Sequence, residues 1–147
     1  MTDRTAKCMC GAVTLRLQGA EDTFSACYCD ACQRWGGGPF RGVSVKTENL
    51  GVYGGEHVGI VQSSSFAERA FCTKCGSGLW YRLTAGQYVG STSVPIGLLD
   101  DRSGLTLSYE MFSDYKDSSN RVPENTRQMT SAEAEEIIAT FDTGPVI

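Results

Sequence analysis

Seven cysteines in a chain of 147 residues, gathered into three tight clusters, constrain this sequence more than any other feature. They stand as Cys8-x-Cys10, Cys27-x-Cys29-x-x-Cys32 and Cys72-x-x-Cys75. An odd number cannot pair completely into disulfides. Met1 to Thr5 lead into no apolar segment of a secretory signal, so the expected compartment is the reducing cytoplasm, where disulfide frameworks are rare. Metal or redox chemistry is therefore the expectation.

Composition bounds the rest. A 41% hydrophobic chain of this length can bury a core without disulfide staples, and one domain spanning residues 1–147 is expected. No apolar run is long enough for a transmembrane helix. Thirteen Lys and Arg against seventeen Asp and Glu give a formal charge of −4, which argues against bulk binding to nucleic acid or an anionic membrane.

Periodicity predicts a mainly β fold. Apolar and polar residues alternate in Val13–Leu17, and Leu79–Leu83, Gln87–Val89 and Leu105–Tyr109 look similar. Seventeen glycines supply tight connections between short strands. Two stretches read as helix. One is a short turn from about Asp30 to Trp35, ending in Gly36-Gly37-Gly38-Pro39. The other is C-terminal: Thr130 and Glu133 form a capping-box pattern before Ala134, Ile137, Ile138 and Phe141, with Gly144 and Pro145 as the expected stop.

The neighbours of the cysteines divide them. Gly11 follows Cys10 and Gly76 follows Cys75, and glycine tolerates the left-handed turn that aims backbone N–H groups at thiolate sulfurs. Two such knuckles could supply four thiolates to a closed tetrahedral zinc site with a structural role. Cys32 instead runs on into Gln33-Arg34-Trp35. On a helical turn Cys29 and Cys32 share a face, Cys27 can converge on them, and the helix N-terminus favours thiolate. Three thiolates hold zinc with one position open. Three other readings remain: buried free thiols, disulfide redox chemistry at Cys72-Thr73-Lys74-Cys75, and a middle cluster that is structural and completed by another ligand.

Three segments together resemble the glutathione-dependent formaldehyde-activating enzyme family, which also includes centromere protein V. They are Cys8-Met9-Cys10-Gly11-Ala12-Val13, Cys27 through Gly37, and Arg69 through Leu79, followed by Gly97-Leu98-Leu99-Asp100. The likeness covers about residues 6–112, and the polar, then helical, segment 113–147 departs from the family's close. The resemblance implies an Mss4-like zinc-binding β fold. It implies a structural zinc on Cys8, Cys10, Cys72 and Cys75 and a second zinc on Cys27, Cys29 and Cys32, two per chain. It also implies carbon–sulfur lyase activity similar to S-(hydroxymethyl)glutathione synthase, joining a thiol such as glutathione to a small aldehyde.

The chemistry of an open three-thiolate site agrees with a thiol partner. Zinc with three thiolates carries a net negative charge and suits a soft fourth ligand better than hydroxide. Loading both sites would take the formal charge of −4 to about −7. An anionic thiol then needs a cation, for which Arg34, Arg41 and Arg69 are candidates, although each is expected as a solvated surface arginine. Trp35 is expected to cap the short helix rather than wall the metal site. His57, the single histidine, is expected to be exposed, and Asp100 and Asp101 to form a turn. The competing functions are a non-catalytic zinc-stabilised binding module and a thiol carrier without turnover.

Overall fold

A computed structural model of the chain describes residues 1–141. It divides into two compact units, Met1–Tyr115 and Lys116–Ile147. The first holds ten β-strands and one α-helix among the described residues.

β1 (Thr2–Lys7), β2 (Thr14–Ala20) and β5 (Leu50–Tyr53) form an antiparallel sheet in the order β1-β2-β5. A second, seven-stranded sheet runs β10-β3-β4-β9-β8-β7-β6. Its strands are β3 (Thr23–Cys27), β4 (Phe40–Lys46), β6 (Val58–Ser64), β7 (Ala67–Cys72), β8 (Gly78–Leu83), β9 (Ser91–Pro95) and β10 (Thr106–Met111). Pairing is antiparallel except between β10 and β3.

Alternation explains why β2 forms where it does. Leu15 and Leu17 are fully buried while Arg16 between them faces out. The two leucines join Val43, Val45, Leu79, Trp80 and Val94 from the larger sheet in one core. Cys8 and Cys72 belong to that same core, so the first and third cysteine clusters hang from its packing.

The mainly β class follows the sequence, with two differences in detail. Gln87-Tyr88-Val89 is a turn rather than a strand, bracketed by Gly86 and Gly90 at φ +94° and +101°, and Tyr88 and Val89 are exposed. Glycine backbone in that region bends the chain where side-chain alternation alone suggests extension. Leu105–Tyr109 does lie at a strand, the edge strand β10, but Leu107 and Tyr109 are exposed, as are Thr106 and Ser108 on the other face.

The helix α1 (Asp30–Gly36) matches the expected turn, ending at Gly37 in the left-handed conformation. In the second unit α2 (Ser131–Ile138) begins with the expected capping box: Glu133 N–H donates to Thr130 Oγ1 and Thr130 N–H to Glu133 Oε2. The helix stops at Ile138, so Phe141 lies beyond it, and Gly144 and Pro145 fall outside the described residues.

Candidate metal centres

The sulfurs of Cys8, Cys10, Cys72 and Cys75 all lie within 4.8 Å of one another. Cys8 Sγ is 3.6 Å from Cys10 Sγ, and Cys10 Sγ is 3.9 Å from Cys72 Sγ. A tetrahedron with metal–sulfur bonds of about 2.3 Å has edges of about 3.8 Å, so the four sulfurs fit a zinc-sized ion. Local backbone explains the convergence. Gly11 and Gly76 both adopt φ +76°, and their N–H groups close turns onto the carbonyls of Cys8 and Cys72. Each turn folds its two cysteines to one side.

Backbone and side-chain donors tune these thiols. Val13 N–H reaches Cys8 Sγ at 3.2 Å. Burial pushes Cys8 up, but that N–H and the neighbouring thiols bring it below its ordinary value. The hydroxyl and N–H of Ser77 draw Cys75 down to about 5. Ser77 Oγ also accepts from Met9 N–H at 3.0 Å, and the Ser77 carbonyl accepts from Cys72 N–H at 2.9 Å. It thereby ties the two knuckles together, a role that nothing in its sequence position announces.

Cys27, Cys29 and Cys32 form a second group, again with sulfurs within 4.8 Å of one another. Cys27 ends β3, Cys29 is the N-cap of α1 and Cys32 is buried in its first turn. Among the described residues no other His, Cys, Asp or Glu joins this group. The loop is pinned from behind: Tyr28 OH donates to Glu110 at 2.8 Å, and Gln33 Nε2 donates to Tyr28 O at 2.6 Å. Burial raises Cys27 to about 12, opposed by the amide of Cys29. Burial also pushes Cys29 up, but the amide of Cys32 and the adjacent thiols outweigh it and bring it down. The thiols of this trio thus differ in acidity, with Cys29 the one that sheds its proton most readily.

Arg69 corrects the sequence expectation. Rather than a solvated surface arginine it is 7% exposed, and its Nη2 donates to Cys32 Sγ at 3.4 Å. Its guanidinium carbon stands 4.6 Å from the Trp35 ring and 5.0 Å from the Tyr81 ring. Trp35, in the last turn of α1, therefore walls the three-cysteine group through Arg69, and it stacks on Phe40 at 5.6 Å. Gly78 makes room for this indole, since a Cβ there would sit 2.8 Å from Trp35 Cζ2. Burial raises the Tyr81 hydroxyl above its ordinary value, with Arg69 pulling the other way.

The remaining candidates fall outside this cage. Arg34 is exposed on α1, while Arg41, also exposed, lines a cavity of about 280 Å³ with Trp35, Phe40, Pro95 and Ile96. His57 pairs with Glu56 at 3.7 Å and belongs to neither cysteine group. Asp101 caps a turn through Ser103 N–H, as expected of a turn former, whereas Asp100 accepts from the hydroxyl of Thr5, far away in sequence. Among the described residues no helix is long and apolar enough to cross a membrane.

Comparison with known proteins agrees with this geometry. A family model described as glutathione-dependent formaldehyde-activating enzyme matches residues 3–115, nearly the whole first unit. An uncharacterized lyase of Schizosaccharomyces pombe is 38% identical over 87 residues, which are 59% of this chain and 63% of that protein. A Halomonas elongata protein, provisionally named a glutathione-dependent formaldehyde-activating enzyme, is 38% identical over 81 residues, 50% of this chain and 52% of that one. The chain thus spans somewhat more than half the length of these relatives. A crystal structure of a Rhodobacter sphaeroides protein superposes with a TM-score of 0.55 at 22% identity, covering 71% of this chain and 99% of that chain, and so shares its fold. With the three cysteine clusters in place and the match running over most of its length, this chain belongs to the glutathione-dependent formaldehyde-activating enzyme family.

Proposed function

We propose that the chain is a carbon–sulfur lyase that joins a small thiol to an aldehyde, and cleaves the adduct, at a zinc held by Cys27, Cys29 and Cys32. A structural zinc on Cys8, Cys10, Cys72 and Cys75 would fasten β1 and β2 to β7 and β8. The observation that carries the proposal is the contrast between the two groups: four converging sulfurs complete a tetrahedron, three leave one position for a ligand from outside. The names of the lyase and formaldehyde-activating relatives support this chemistry.

A bound zinc would supply ionisation of the incoming thiol and a fixed place for its sulfur. The protein's own groups do the rest. Cys27 and Cys32 are buried and Cys29 half-buried, so a ligand from solvent would reach the group from the Cys29 side. Trp35 and Tyr81 screen the Arg69 side of the site from water and so strengthen its electrostatics. Arg41, at the rim of the neighbouring cavity, is placed to receive a carboxylate such as those of glutathione.

Two measurements test this. Glutathione titrated into cobalt-substituted protein should change the thiolate-to-cobalt absorption, and an unchanged band at millimolar thiol counts against a thiol at the open position. Exchange NMR between formaldehyde hydrate and its glutathione adduct should speed up with catalytic amounts of protein. A shift only stoichiometric with protein identifies a thiol carrier instead.

A further inference from the structure

We infer that Arg69 is a catalytic residue whose Nη1 donates to the oxygen of the thiol–aldehyde adduct at the three-cysteine centre. The inference rests on the lyase chemistry proposed above and identifies the group that meets the charge developing on the aldehyde oxygen.

Four observations converge on it. Arg69 is 93% buried, yet among the described residues it forms no ion pair with Asp or Glu. The adjacent carboxylate, Glu68, is taken by Arg82 at 3.4 Å. A buried cation without a carboxylate is costly, so its negative partner must come from the thiolates and from whatever binds beside them. The fork is only half used: Nη2 donates to Cys32 Sγ at 3.4 Å, while Nη1 is buried with no hydrogen-bond partner. Finally, the guanidinium carbon stands over both the Trp35 ring and the Tyr81 ring, at 4.6 and 5.0 Å. A buried charged donor with a free N–H next to a reacting centre is what stabilisation of a developing oxyanion requires.

The planar fork explains why arginine stands here. Its two terminal nitrogens can span a cysteine sulfur and a substrate oxygen at once, which a lysine ammonium on a flexible stem does not reproduce. In the forward direction the substrate thiolate sulfur attacks the aldehyde carbon. A C–S bond forms, and the C=O π pair moves to oxygen as an alkoxide that accepts from Arg69 Nη1. The alkoxide takes a proton from solvent water, which balances the proton released when the thiol ionised. Cleavage is the same sequence reversed.

The test compares wild type with Arg69→Lys, Arg69→Gln and Arg69→Ala. Exchange NMR reports turnover, and calorimetry reports binding of two near-isosteric ligands, the S-hydroxymethyl adduct of glutathione (held with excess formaldehyde) and S-ethylglutathione, which lacks the oxygen. With Nη1 on the oxygen, Arg69→Lys and Arg69→Gln should lower the exchange rate about 100-fold. They should weaken the hydroxymethyl ligand about 10-fold or more and leave the S-ethyl ligand within about 2-fold. Millimolar guanidinium should restore part of the Arg69→Ala rate. Equal loss of both ligands, or loss of bound metal, assigns Arg69 to the structure alone and overturns the inference, as does undiminished turnover in Arg69→Lys. Should wild type itself fail to speed exchange, the lyase chemistry fails and the role of Arg69 with it; wild-type turnover with an indifferent Arg69 refutes only the latter.

Discussion

Replacing Gly78 by alanine tests the seating of Trp35, on which the cage around Arg69 depends. The new Cβ would stand 2.8 Å from Trp35 Cζ2, 3.1 Å from Cη2 and 3.3 Å from Cε2. Ordinary carbon contacts begin near 3.4–4 Å, so the indole must retreat by about 0.6–1 Å. It is hemmed in by Phe40 on one side and the Arg69 guanidinium on the other. Overpacking of this kind costs about 1–3 kcal/mol. Gly78 lies in β8 without a positive φ, so alanine adopts its backbone conformation and restricts the unfolded chain, returning about 0.4–1 kcal/mol. The expected net loss is about 0–2.6 kcal/mol, centred on about 1.3, a fall of roughly 5 °C in Tm for a unit of this size. Thermal unfolding followed by circular dichroism gives the number. A double-mutant cycle isolates its cause: Trp35→Phe removes the edge that the Cβ strikes, so Gly78→Ala should cost about 1 kcal/mol less in that background. On the proposed lyase chemistry, turnover should also fall in Gly78→Ala at temperatures where the protein stays folded, because the displaced indole shifts Arg69. A cycle with no coupling would refute the contact as the reason for glycine at this position.

Other perturbations probe separate parts of the molecule. With the proposed zinc on Cys8, Cys10, Cys72 and Cys75, removing metal with a strong chelator should abolish the near-ultraviolet circular dichroism of the first unit, since a structural zinc is worth about 10–16 kcal/mol against a whole-domain stability of about 5–15; Cys72→Ser, at a fully buried position of that group, should do the same without chelator. Tyr28→Phe deletes the 2.8 Å hydrogen bond to Glu110 behind the three-cysteine loop and should cost about 1–2 kcal/mol in denaturant unfolding. Thr130→Ala removes the α2 cap and should weaken that helix by about 1 kcal/mol, read as faster amide exchange over Ser131–Ile138. In wild type the Thr130 N–H and hydroxyl hold the Glu133 carboxyl below its ordinary value. Its contribution to the helix should therefore be complete above the usual carboxylate range and lost as pH falls through the lowered value, whereas Thr130→Ala, which loses the hydroxyl but keeps the N–H to Glu133, should show a smaller acid transition.

The sequence alone carried the strand class, the extent of α1 and the grouping of cysteines into two closing knuckles and one open trio. Those features are local. Gly11 and Gly76 force the same turn wherever they occur, Cys29 and Cys32 share a helix face by spacing, and Thr130 with Glu133 is a cap by chemistry. Where alternation misled, at Gln87–Val89, two flanking glycines overrode it.

What only the tertiary structure decided are the contacts between residues far apart in the chain. Arg69 reads as a surface charge because side-chain hydrophobicity is all that sequence offers for it. Its burial depends on β7 receiving Trp35 from α1 and Tyr81 from β8 over the same face, and on Cys32 arriving 37 residues away. Likewise Ser77 joins the two knuckles by accepting from Met9, 68 residues distant. Short-range propensity determines which turns and strands form; it carries no information about which distant side chains the folded sheets bring face to face. The cysteine pattern that could hold metal was thus written in local spacing, and the charge beside it was set by topology.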